Sequence, residues 1–175
     1  MTAFKRSDDL SDDLAFDLLS RSPVTMYFRP HLFTEATSRL ESDGYQVVLF
    51  NSATWSNESM HDDFAQALSF PAYYGRNLDA LNDCMWDVAN QDYGWNPAST
   101  GLVVAFSGYD RFVRADRRSA NIVLDIIAGH SRGASLVGRR LLCLVQTDDP
   151  DLTLDPVAAT VPTWNGREWL DANRH

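Results

Sequence analysis

Blocks of apolar residues follow one another along this chain, and the period inside the blocks changes from strand-like to helix-like. Residues 24–28 (Val-Thr-Met-Tyr-Phe) form a short apolar run closed by Arg29-Pro30, which predicts a strand. Residues 32–40 carry apolar side chains at helical spacing, and Gly44 stands where a helix-ending glycine belongs. Residues 45–50 are a second, nearly continuous apolar strand. Ser56-Asn57-Glu58-Ser59 supplies a helix start, and Met60, Phe64 and Leu68 line one face of the helix that follows. Asn77 is positioned to cap a further helix running to about Val88, followed by a polar and aromatic loop at 89–99 with Tyr93, Gly94 and Trp95. A strand over 101–106, a helix over 118–128 with Ile122, Leu124, Ile126 and Ile127 largely inward, and a strand over 141–145 complete the order. Thr147-Asp148-Asp149-Pro150 ends that last strand.

The strands are short, apolar on both sides, and alternate with helices. That pattern predicts an α/β fold: a small, mostly parallel sheet flanked by helices and joined by right-handed crossovers. Three stretches are expected. Residues 1–43 form an N-terminal extension, in which a mobile acidic start (Asp8, Asp9, Asp12, Asp13, Asp17) and a short helix over 14–19 precede a strand and helix added to the sheet. Residues 44–148 form the main domain. Residues 149–175 form a tail whose Trp164, Trp169 and Leu170 suggest a short amphipathic element packed back on the domain, with a docking role as the other reading. There is no internal repeat.

At 175 residues and 45% hydrophobic, the chain suits one domain with elaborations. It has no apolar run long enough to span a membrane, and its acidic start does not read as a signal peptide. Cys84 and Cys143 lie far apart and match no zinc spacing, so they read as reduced, buried thiols, which with the absent leader points to the cytoplasm. A formal net charge of −9 argues against direct nucleic-acid binding. It suits fast association with a basic protein, or serves solubility alone.

The chemistry concentrates in residues 70–84. A Pro-aromatic-Gly turn there runs into a helix that carries Asp79, Asp83 and Asp87 at successive four-residue steps. Like charges at that spacing weaken a helix by about 0.2–0.5 kcal/mol per pair. The helix dipole favours Asp79 and disfavours Asp87. The row therefore reads either as a solvated acidic face, with Arg76 offsetting part of the repulsion at Asp79, or as a face kept for a cationic partner. Tyr73 and Tyr74 precede Gly75, and neighbours in an extended segment point to opposite sides, so one ring is expected to pack and the other to stay free. Both rings as core lids is the alternative.

Tyr73-Tyr74-Gly75-x-Asn77-Leu78-Asp79-Ala80-Leu81-x-Asp83-Cys84 closely resembles the motif of barstar-family ribonuclease inhibitors. The order of elements over about 44–148 resembles that family too, and the front extension and tail resemble longer members from high-GC (actinobacterial-type) bacteria. The resemblance implies a barstar-like fold and a non-enzymatic intracellular role, in which the chain occludes the active site of a basic ribonuclease or ribonuclease-like toxin. It implies partner contacts at Tyr73, Asp79 and Asp83, a loop shaped by Gly75, Asn77 and Leu78, and no cofactor or metal. Three positions depart from the family's best-known member: Asn82 stands for an interface tryptophan, Arg76 for an acid, and the second helix lacks an acid near Gly129. Each departure weakens the case for barnase itself as the target and leaves a different nuclease, or a different basic protein, as the expectation.

Other constellations suggest other chemistries. Gly129-His130-Ser131-Arg132-Gly133 matches a nucleophile elbow, but the only later histidine is His175, so the segment reads as a helix end with a glycine exit. The Asp79/Asp83/Asp87 row suits a divalent cation and hence a metal-assisted hydrolase, but no partnering acidic motif stands out, and His31, His61 and His130 form no ligand spacing. A barstar-like adaptor with a non-nuclease partner is the third alternative.

Overall fold

A computed structural model describes residues 12–175. Asp8 and Asp9 of the acidic start, expected to be mobile, lie outside the described residues. In chain order the elements are α1 (Leu14–Arg21), β1 (Val24–Tyr27), α2 (Pro30–Ser42), β2 (Gln46–Asn51), α3 (Asn57–Ala67), α4 (Leu78–Asn90), β3 (Leu102–Ser107), α5 (Tyr109–Ala115), α6 (Arg117–Leu136), β4 (Leu141–Gln146) and β5 (Thr163–Trp164). The sheet order is β2-β3-β4-β1-β5, and every pairing in it is parallel.

Because side chains alternate along a strand, the sheet has two apolar faces. Leu102, Val104 and Phe106 of β3 join one core with Phe64, Met85, Phe112 and Leu124 from α3, α4, α5 and α6. Val103 and Ala105 join a second core with Leu142, Leu144 and Tyr27, covered by Leu18 of α1 and Phe33 and Leu40 of α2. β1 pairs with β4 from Val24↔Cys143 to Tyr27↔Gln146. Both cysteines are buried free thiols, and burial pushes the Cys143 thiol up.

Local chemistry explains the element ends. At the end of α2, Gly44 has φ +88°, its N–H donates to Glu41 O, and the N–H of Tyr45 donates to Leu40 O. That is the double bond of a Schellman cap, which favours glycine. Ser56 and Ser59 cap α3 reciprocally. No described helix is long and apolar enough to cross a membrane.

Three sequence expectations need correcting. α6 does not exit at Gly129 but runs to Leu136, and a Cβ built at Gly129 or Gly133 meets nothing. The packing of Ser131 and Ala134 on the sheet side outweighs the helix cost of two glycines, about 1 kcal/mol each. α5 has no counterpart in the apolar pattern; it is short, and its buried Asp110 hides the apolar face. The tail packs back on the domain as extended chain, with Trp169 facing outward rather than inward. It adds β5 beside β1, leaves Trp169 67% exposed, and stacks Arg174 over Trp164 at 4.3 Å.

The tail is anchored instead by Glu168, whose carboxylate is fully buried. It accepts from the N–H groups of Phe28 and Arg29 at 2.9 Å each, and from Asn165 Nδ2 at 2.6 Å. Arg29 is the N-cap of α2 and has no side-chain cap bond. A carboxylate from the far end of the chain thus takes up the N-cap N–H and sets a negative charge at the positive end of the α2 dipole.

Candidate functional site

The acidic helix α4 begins at the cap expected for it. Asn77 Oδ1 accepts from Ala80 N at 2.8 Å, and Leu81 N donates to Asn77 O. Leu78 is half-buried and packs against the first core, so it fixes the entry of the helix. Gly75 does not supply a left-handed turn; the positive φ of this loop falls on Arg76, at +51°. Gly75 instead eases a close approach: a Cβ there would lie 3.2 Å from Asn77 Nδ2 and 3.4 Å from Ala80 Cβ, so the capping side chain would have to give by a few tenths of an ångström.

The two tyrosines part company. Tyr73 is 82% exposed. Tyr74 turns inward, packing edge-on against Phe70 at 4.9 Å and His61 at 5.7 Å, and bonding His61 Nδ1. Phe70 in turn meets Tyr93 at 6.2 Å, and the Tyr93 hydroxyl donates to Asp87 at 3.0 Å. An aromatic chain therefore ties the loop to the far end of the helix it precedes.

That chain separates Asp87 from the other two carboxylates. Each four-residue step rotates about 40° around a helix with 3.6 residues per turn. Asp79 and Asp83 lie on the exposed face with Asn82, Trp86 and Asn90, while Asp87 has turned to the half-buried flank. Among the described residues, neither Asp79 nor Asp83 has a cation or hydrogen-bond donor on its carboxylate. Arg76 does not serve Asp79; it pairs with Asp62 of α3 at 2.5 Å.

His61 is buried, and its Nε2 has no partner among the described residues. Desolvation, with the Arg76 charge in the same direction, pushes its pKa below the ordinary histidine value. Burial raises the Tyr74 phenol, so it stays protonated and can donate to His61 Nδ1.

The residues of the rival chemistries are placed as follows among the described residues. Ser131 is buried mid-helix and its hydroxyl donates to Leu141 O at 2.6 Å, so it is no exposed nucleophile on a strand-to-helix turn. Among the described residues, the ligand atoms that converge closely enough for a metal are those of Asp151, Asp171 and His175, all exposed. The Asp79/Asp83/Asp87 carboxylates do not converge so.

Sequence reasoning placed Tyr73, Asp79 and Asp83 together, and the structure keeps them on the loop and outer face of one helix. It passed over Trp86 and the tie between Tyr93 and Asp87. The position of Trp86, three residues after Asp83, was the available signal.

A sequence model described as Barstar (barnase inhibitor) matches residues 40–146, more than half of the chain. Among curated proteins, "Putative ribonuclease inhibitor YrdF" of Bacillus subtilis (strain 168) is 64% identical over 28 residues, covering 16% of this chain. The aligned stretch spans 31% of that relative's length.

Proposed function

The chain belongs to the barstar family, and from that premise we propose that it is a non-enzymatic inhibitor of a basic ribonuclease or ribonuclease-like toxin. It would cover the target's active site with Tyr73, Asp79 and Asp83. One observation carries the reading: two exposed carboxylates one turn apart lack partners of their own among the described residues, beside a tyrosine that is 82% exposed. A pocket built to hold RNA phosphates is cationic and receives such a pair well. The net charge of −9 speeds the encounter, and added salt slows it. Gly75, Asn77 and Leu78 hold the loop and the helix start in place before the partner arrives, which lowers the ordering cost of binding.

The test is inhibition. The purified chain is titrated into barnase, and separately into the basic ribonuclease fraction of the source organism's culture fluid, with RNA cleavage measured. Wild type is expected to abolish cleavage in at least one of the two, and Asp83→Ala to fail at the same concentration. Wild type that leaves both activities untouched sinks the reading, as does RNA hydrolysis by the chain itself.

A further inference from the structure

On the face of the sheet opposite α4, α1 and α2 enclose a cavity of about 350 Å³, bordered by residues 165–167 of the tail. Its apolar lining comes from Leu14 and Leu18 of α1 and from Leu32 and Ala36 of α2. Tyr27 of β1 lies at its base, with Phe33 packed edge-on against the ring at 5.9 Å. These residues precede residue 40, where the family match begins.

Tyr27 is only 3% exposed, yet its hydroxyl has no hydrogen-bond partner among the described residues. The oxygen is not one of the unpartnered polar atoms sealed in the interior, so it opens into the cavity that the residue lines. Burial raises the pKa of the phenol, and the charges of Glu168 and Asp17 act in the same direction, so the group remains an O–H donor. A buried hydroxyl without an acceptor costs free energy that no described group offsets.

The rim of the cavity is charged but already matched. Asp17 pairs with Arg21 at 3.0 Å, Asp13 with Arg140 at 2.8 Å, Asp12 with Arg39 at 3.6 Å, and Glu35 with Arg167 at 3.0 Å. An entering cation would have to displace an arginine from its carboxylate. An entering anion would have to displace a carboxylate and lose its own hydration in an apolar space. Apolar walls with a single inward donor suit an uncharged molecule that carries an acceptor. A carbonyl oxygen offers the lone pairs that the phenol O–H lacks.

We propose that the cavity between α1 and α2 binds a small uncharged organic molecule, whose carbonyl oxygen accepts a hydrogen bond from Tyr27. This site is separate from the inhibitor reading, whose helix α4 packs on the other face of the sheet.

The test titrates acetophenone, benzoate and benzylamine into the ¹⁵N-labelled full chain, with the backbone amides of Leu18, Ala36 and Gly166 as readouts. Acetophenone is expected to shift all three saturably, while the anion and the cation leave them in place over the same concentrations. Tyr27→Phe should raise the acetophenone midpoint about three- to tenfold, the scale of one hydrogen bond. The same variant should melt at or above the wild type, because it removes an unpaired hydroxyl. Ala36→Leu, which adds bulk to the cavity wall, should abolish the shifts while the fold stays native. The site is overturned by a wild type with no saturable shift, by a midpoint that Tyr27→Phe leaves unmoved, or by benzoate or benzylamine binding as well as acetophenone. If Tyr27→Phe does not fold, Ala36→Leu decides, and acetophenone shifts that survive it overturn the site.

Discussion

Asp83 and Asp87 are one turn apart on the same helix, yet they call for opposite experiments. Asp83 is exposed and without a partner among the described residues, so Asp83→Ala should leave the melting temperature unchanged or slightly raised, since it relieves repulsion from Asp79. Its cost should appear in binding to the target ribonuclease, mostly as faster dissociation. The expected loss is about 2–5 kcal/mol, a scale that comes from buried charge pairs such as those of the barnase–barstar complex, this family's own example. Asp87 accepts the Tyr93 hydroxyl. Asp87→Ala should cost about 1–2 kcal/mol of stability and affect binding only through the loop that Tyr93 and Phe70 support. Thermal melts beside binding kinetics for the two variants separate the roles; a binding loss confined to Asp87→Ala would reverse them.

His61 adds a pH dependence beneath that loop. Its pKa is lowered in the folded state, first by desolvation and then by Arg76. The unfolded chain then binds a proton that the folded chain resists, so stability is full above the unfolded value of about 6.5 and declines as the pH falls below it. Melting temperatures measured from about pH 7.5 to 5 should fall in the wild type and fall less steeply in His61→Gln. Parallel profiles for the two proteins would show that His61 does not carry the effect.

At the scale of elements, Glu168 shows how one side chain joins three segments. It bonds the N–H groups of Phe28 and Arg29 and the side chain of Asn165, and so connects β1, the start of α2 and the tail. Glu168→Ala leaves two backbone donors without their acceptor, which is expected to cost about 3 kcal/mol. Faster hydrogen exchange at Phe28 and Arg29 would accompany the loss, and limited proteolysis should cut the tail first. Glu168→Gln also places an amide N–H₂ against a backbone donor, so it should not restore wild-type stability. A Glu168→Ala protein that melts with the wild type would show that the tail is dispensable.

The whole molecule depends on covering both faces of its sheet. The family match begins at residue 40, whereas α1, β1 and most of α2 precede it. We expect deletion of residues 1–43 to be severe. It would remove the partner of β4 on one side and of β5 on the other, and uncover Val103, Ala105, Leu142 and Leu144. Each uncovered aliphatic side chain forfeits up to about 1.5–3 kcal/mol, against a total stability on the order of 5–15 kcal/mol. Aggregation, or exposed apolar surface by dye binding, should follow. A truncated chain that melts with the full one would mark 1–43 as peripheral.

What the sequence determined by itself is what depends on short range. Apolar periods located the long helices and four of the five strands, and the apolar character of those strands predicted a parallel sheet covered on both faces. The Asn77 cap and the Gly44 stop were legible because cap chemistry reaches only three or four residues. The exposed ring of Tyr73 and the one-turn spacing of Asp79 and Asp83 were legible for the same reason, whereas their grouping as a contact surface came from the family motif. The tertiary structure alone decided the rest. Arg76 turned to Asp62, Asp87 turned to Tyr93, α6 continued through two glycines, and Trp86 came to rest on His130. Glu168 reached across 140 residues to Phe28. Those choices depend on which elements the sheet order brings together, and no local period carries that information.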